Sequence, residues 1–192
     1  MNGAGNGLHE GLMAFHHMYT VLGFVFFPIL LEVMRGEKDN SARCVFRGIP
    51  GNTTVTGTIE IRQVNNTVRL TGDIVGLNPG NHGFHIHSVG STENNCNAAG
   101  GHYNPLNRTH GDVNTSERHV GDLGNISANM NGVATVNIQT GGISLNGATS
   151  VIGRALVIHA NQDDLGTGND AGSKTTGNSG ARIGCCVIFR IS

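Results

Sequence analysis

Between Thr54 and Ile74 apolar and polar residues exchange at nearly every position, a period of two that a strand can use and a helix cannot. Val55, Gly57, Ile59 and Ile61 share one face of such a strand, and Thr56, Thr58, Glu60 and Arg62 share the other. The same period returns after Asn65-Asn66 in Val68, Leu70, Gly72 and Ile74, which predicts a hairpin turning on the two asparagines. Asn131-Gly132 is a stronger hairpin signal, and Ala134, Val136 and Ile138 follow it at period two. Val151–Ile158 and Cys185–Ile191 are shorter, more continuously apolar runs. No amphipathic helical period is found, so the domain is expected to be all-β, a sandwich or barrel of about eight strands. Thirty glycines follow no three-residue repeat, which excludes a collagen-like chain and leaves turns as their use.

Two stretches break the strand pattern, Ser88–Asn125 and Ala160–Ala181. Loops this long in a compact domain are functional or disordered, and the first is rich in histidine. The chain has ten histidines but only two lysines, Lys38 and Lys174. His85 and His87 close the run Gly83-Phe84; at i and i+2 of a strand both imidazoles face one side and reach one ion. His159 ends a β-branched run and can join them, and three or four imidazoles on a rigid sheet suit copper. His102, His110, His119 and Asp122 lie within the first loop, and three imidazoles with a carboxylate close a tetrahedral shell that suits structural zinc. Any one of these histidines taken alone reads equally as a solvated loop residue. The set does not.

Only 13% of residues are charged and the formal net charge is −1, which argues against a nucleic-acid binder held by a basic face. Residues 1–36 read as a leader. Its apolar run Tyr19–Leu31 has the length of a signal-peptide core rather than of a bilayer span. No basic residue precedes Arg35, so the basic start of a signal peptide is missing, and an uncleaved membrane anchor is the alternative if the uncharged stretch from Leu12 to Met18 is counted in. Residues 37–43 read as a linker and 44–192 as the folded domain. Five Asn-x-Ser/Thr motifs, at Asn52, Asn65, Asn107, Asn114 and Asn125, are glycosylation candidates that would accompany secretion.

The segments Gly83–His87, Gly100–Pro105, Arg118–Asn125, Asp163–Gly166 and Gly177–Cys185 together resemble copper/zinc superoxide dismutases. The resemblance covers the chain from about Cys44 onward. It implies an eight-stranded Greek-key, immunoglobulin-like sandwich with two long functional loops, and one copper and one zinc ion per subunit. Position by position, it makes His85, His87, His102 and His159 the copper ligands and His102, His110, His119 and Asp122 the zinc ligands. His102 would bridge the ions and take a proton in the catalytic cycle. Asp163 would link a copper-side to a zinc-side imidazole, Arg182 would hold superoxide, and His82 would be structural. Lys174 would help to steer the anion, although it stands one position earlier than the family's usual lysine. Ala171 and Gly172 replace acidic residues common in the family. Cys96 and Cys185 match the family's disulfide. Cys44 and Cys186 fall on neighbouring strands of that fold, as a second disulfide or as two buried thiols.

The implied reaction converts superoxide to dioxygen and hydrogen peroxide, in a homodimer supplied by a copper chaperone, with no nucleic-acid partner. Two other readings use the same domain without that reaction. A copper-delivery protein would be expected to carry an added Cys-x-x-Cys site and degraded copper ligands; here no cysteine precedes Cys44 and every ligand position is filled. A zinc-stabilised binding module is the other reading.

Overall fold

A computed structural model describes residues 40–49 and 52–191, which belong to a compact unit running Asp39–Ser192. The leader, with its signal or anchor reading, lies outside the described residues. The strands are β1 (Ser41–Ile49), β2 (Asn52–Val64), β3 (Thr67–Val75), β4 (Gly80–His87), β5 (Asp122–Ala128), β6 (Ala134–Thr140), β7 (Ala155–His159), β8 (Arg182–Val187) and β9 (Phe189–Arg190). A 3₁₀ turn, Asn97–Ala99, and one short helix, α1 (Ala171–Thr176), lie in the two loops. Two antiparallel sheets, ordered β6-β3-β2-β1-β9 and β5-β4-β7-β8, make a sandwich.

The period-two reading holds where it was strongest. β2 and β3 pair from Thr56↔Val75 to Val64↔Thr67, and the turn between them is Asn65-Asn66. Val55, Ile59, Ile61, Val68, Leu70 and Ile74 are buried in the core they share with Phe84, Ile86, Leu156 and Ile158 of the facing sheet. Burying each such side chain contributes about 1.5–3 kcal/mol. Their polar neighbours face outward, as alternation requires.

Several expectations are corrected. Asn131-Gly132 does make a tight turn, with Asn129 N–H donating to Val133 O at 2.9 Å. It does not make a hairpin, because β5 pairs with β4 and β6 pairs with β3, in different sheets. A local turn signal cannot say which sheet each flanking strand joins. β1 begins at Ser41, so the last three residues read as linker are strand. The first loop ends at Gly121 rather than Asn125, since β5 starts at Asp122. The apolar run from Val151 becomes strand only at Ala155, because Arg154 N–H closes a turn onto Val151 O at 3.1 Å. The last run divides at Ile188, and the chain passes from β8 in one sheet to β9 beside β1 in the other. That division gives nine strands among the described residues. α1 was not expected; Asp170 caps it by accepting the Ser173 N–H at 3.0 Å.

Cys185 and Cys186 are adjacent in β8 and so point to opposite faces. Cys185 bonds Cys96 and ties the first loop to the sheet; Cys186 bonds Cys44 on β1 and ties the two sheets together.

Candidate metal centre

β4 is covered on both faces. Phe84 and Ile86 enter the core, while His85 and His87 turn to the side where the loops lie, and all four are buried. β7 repeats the division: Leu156 and Ile158 face the core, and His159 shares the other face with Ala155 and Val157. The register His85↔Val157 and Ile86↔Leu156 brings the three histidines to one patch of sheet. The first loop lays His102 over that patch, with the His85 and His102 ring centroids 4.0 Å apart. The donor atoms of His85, His87, His102 and His159 lie within 4.8 Å of one another. Those of His102, His110, His119 and Asp122 form a second set under the same limit, so His102 belongs to both.

Hydrogen bonds decide which nitrogen of each ring is free. Asp163 accepts His85 Nε2–H at 2.8 Å and His110 Nε2–H at 2.7 Å, leaving each ring its Nδ1. His87 Nδ1 lies 2.8 Å from Gly100 O and His159 Nδ1 lies 3.1 Å from Gly180 O. Their Nε2 atoms therefore face each other, 3.3 Å apart. His102 directs Nδ1 to Asp122 Oδ1 at 2.8 Å, with His119 Nδ1 3.4 Å away, and its Nε2 is left for the all-histidine set. Contacts of this kind fix tautomer and ring orientation for a metal.

The donor set fits a pair of ions. Four buried side-chain N or O atoms among the described residues have no hydrogen-bond partner, and three of them are His85 Nδ1, His102 Nε2 and His110 Nδ1. His110 Nδ1 lies 3.0 Å from Asp122 Oδ2 but without the geometry of a hydrogen bond. An orphaned buried nitrogen costs about 1–3 kcal/mol unless something coordinates it. Four nitrogens suit copper, and three nitrogens with one carboxylate suit a closed zinc shell.

Charge follows the same plan. Burial lowers His85 to about 3, helped by the nearby His102. Burial likewise lowers His87 to about 2, His159 to about 4, and His102 against the pull of Asp122. These rings are neutral at physiological pH, as ligands must be. For His110 burial works downward, but Asp122 and Asp163 outweigh it and hold the ring up at about 9, so a proton and a cation compete there. Burial would raise both carboxylates, yet their histidine partners hold Asp122 and Asp163 below the usual range and keep them ionised. Arg182 donates to Cys96 O, Asn97 O and Gly100 O, and its charge reaches His87 and His159. Lys174 donates to Gly166 O at 2.6 Å, and its carbonyl receives the His110 N–H at 2.9 Å. Among the described residues His82 hydrogen-bonds only to backbone, His159 O at 2.8 Å and Asn78 O at 2.9 Å, and joins neither set.

Three supports were not legible in the sequence. Asn125, named above only as a glycosylation motif, ties Asp163: its Nδ2 donates to Asp163 O at 2.9 Å and its Oδ1 accepts the Asp163 N–H at 2.7 Å. Gly177 packs so closely that an added Cβ would meet Asp163 Oδ1 at 1.9 Å. The carbonyls of Gly100 and Gly180 orient two rings, and a backbone acceptor leaves no side-chain signature.

The strands and loops of this β-sandwich assemble two donor sets that share one imidazole, the class of site that could hold a pair of metal ions. Residues 55–188 match the family model of copper/zinc superoxide dismutase, and the chain belongs to that family, whose cofactors are copper and zinc. It is 52% identical over 141 residues to Cu-Zn superoxide dismutase 3 of Arabidopsis thaliana, covering 73% of this chain and 86% of that protein. It is 49% identical over 141 residues to Cu-Zn superoxide dismutase 2 of Mesembryanthemum crystallinum, covering 73% and 90%. Against the extracellular Cu-Zn superoxide dismutase of Haemonchus contortus the identity is 48% over 146 residues, covering 75% and 80%.

Proposed function

We propose the residue assignment by which this enzyme dismutates superoxide, two anions and two protons giving dioxygen and hydrogen peroxide. His85 Nδ1 and the Nε2 atoms of His87, His102 and His159 hold copper. The Nδ1 atoms of His102, His110 and His119 with Asp122 hold zinc. Bound copper supplies one-electron redox cycling, and bound zinc supplies fixed positive charge. The observation that carries the assignment is the double membership of His102, whose two ring nitrogens face two different donor sets.

The chain's own groups do the rest. Arg182 offers a permanent cation beside His87 and His159 and attracts an anion. Three carbonyl acceptors hold its guanidinium in place. His102 Nε2 is the atom that can hold a proton for the departing peroxide, while Nδ1 keeps the ring in position. Asp163 couples the two halves through His85 and His110, and Lys174, whose carbonyl receives the His110 N–H, adds an exposed positive charge. Metal analysis with a dismutase assay on the purified full-length protein tests the assignment. Copper and zinc together with activity are expected, and His159→Ala should abolish activity while zinc stays bound. A protein that loads zinc, refuses copper and has no activity would overturn it.

Export, glycosylation and assembly belong to the same reading. The leader exports the chain, supported by the two disulfides and by similarity to an extracellular relative. The exported chain carries N-linked glycans. The enzyme works as a homodimer, as the family resemblance implies, and a copper chaperone supplies the metal.

A further inference from the structure

The glycosylation motifs are not used by the mechanism, and their asparagines sit in very different places. We infer that Asn65 and Asn107 carry N-linked oligosaccharides in the exported protein, and that Asn125, with an equally good motif, carries none. The inference rests on the export proposed above.

Asn65 stands exposed at the tip of the β2–β3 hairpin with φ 54°, a left-handed conformation that asparagine tolerates. Its carbonyl accepts Gln63 Nε2–H at 3.0 Å, and its carboxamide makes no hydrogen bond among the described residues. Asn107 is likewise exposed and left-handed, with φ 51°. Among the described residues only its backbone is engaged, the N–H donating to Asn104 O at 3.4 Å. A sugar on either carboxamide displaces no bond of the fold.

Asn125 is the opposite case. It is half-buried in β5, and both ends of its carboxamide are closed on the backbone of Asp163. The Asp163 side chain is 0% exposed and sets both His85 and His110. A glycan would occupy Nδ2 where the backbone of Asp163 lies, so a chain modified there cannot place this carboxylate. Asn114 is exposed but has Nδ2 bonded to Asp112 Oδ1 at 2.9 Å, and the side chain of Asn52 is not described.

The transfer needs an oligosaccharide carried on a lipid diphosphate. The asparagine Nδ2 forms a bond to the anomeric carbon, the anomeric C–O bond to the diphosphate breaks, and the amide proton leaves with the lipid diphosphate. The full chain is expressed through a eukaryotic secretory pathway, active enzyme is purified from the medium, and glycopeptides are mapped by enzymatic deglycosylation in heavy-oxygen water. The isotope label should appear at Asn65 and Asn107 and be missing at Asn125. Asn65→Gln with Asn107→Gln should remove two glycan mass steps and keep dismutase activity. Ser127→Ala, which destroys the Asn125 motif without touching Asn125, should change neither glycan pattern nor activity. Active enzyme bearing sugar on Asn125, or exported enzyme bare at Asn65 or Asn107, overturns the inference alone. Enzyme retained in the cells with its leader intact and no sugar overturns the inference and the export reading together.

Discussion

Gly177→Ala isolates the part of the site that holds Asp163. Gly177 ends α1 with φ +64°, and an added Cβ would stand 1.9 Å from Asp163 Oδ1 and 2.5 Å from His110 Nε2. Two costs arise. A left-handed alanine costs about 1–2 kcal/mol. Moving the carboxylate away from His110 forfeits a bond to a charged group, roughly 1.5–3 kcal/mol. Gly147→Ala separates the two costs, because Gly147 has φ +71° and nothing within 4 Å of its added Cβ. The control pays for backbone conformation alone. Denaturant midpoints of both metal-free variants, with zinc affinity by chelator competition, read the difference. Gly177→Ala should lose more stability than Gly147→Ala by about 1.5 kcal/mol or more. Its zinc binding should weaken about 10–100-fold, the usual effect of disturbing a group that orients a ligand. If both variants lose the same stability and Gly177→Ala keeps wild-type zinc affinity, the carboxylate is not held as described.

Four further outcomes are expected. In the metal-free protein His85, His87 and His159 are lowered by burial to about 3, 2 and 4, so the unfolded chain binds more protons below pH 6.5. Their contribution is full above pH 6.5 and is lost as pH falls toward 4. Stability followed by denaturant titration should therefore drop by more than ~1.4 kcal/mol per pH unit there, and a flat profile would refute the neutral-ligand account. His110, raised to about 9, acts in the other sense, and its contribution should fade as pH rises from 6.5 through 9. Cys44→Ala with Cys186→Ala removes a link of sequence separation 142 and should lower unfolding stability by up to about 5 kcal/mol in the chain-entropy model, with dismutase activity kept. Arg182→Gln should reduce kcat/KM at least roughly tenfold and flatten its dependence on ionic strength, measured by steady-state dismutation across a salt series.

Legibility in the sequence followed the range of each interaction. Alternation from Val55 to Ile74 marks a strand pair because a face repeats every two residues, and Asn65-Asn66 turns it with no help from elsewhere. Asn131-Gly132 carries a stronger local signal, yet its strands part into different sheets, since partners are chosen by the whole sandwich. The residues of the two donor sets were readable because metal chemistry restricts residue type, and their motifs resemble a known family. The supports were not. Nothing near Asn125 in the chain announces Asp163, 38 residues away, and a glycine pressed against a carboxylate looks like any turn glycine.

The sequence by itself determined an all-β domain, the residues able to bind two ions, and the class of chemistry they serve. Those are properties of side-chain type and short-range period. Only the tertiary structure decided which nitrogen of each imidazole is free, and that Cys185 and Cys186 staple opposite faces of one strand. It also decided that Asn125 serves Asp163 rather than solvent. Each of these depends on a group brought close through space by folding, and no local pattern in the chain records that distance.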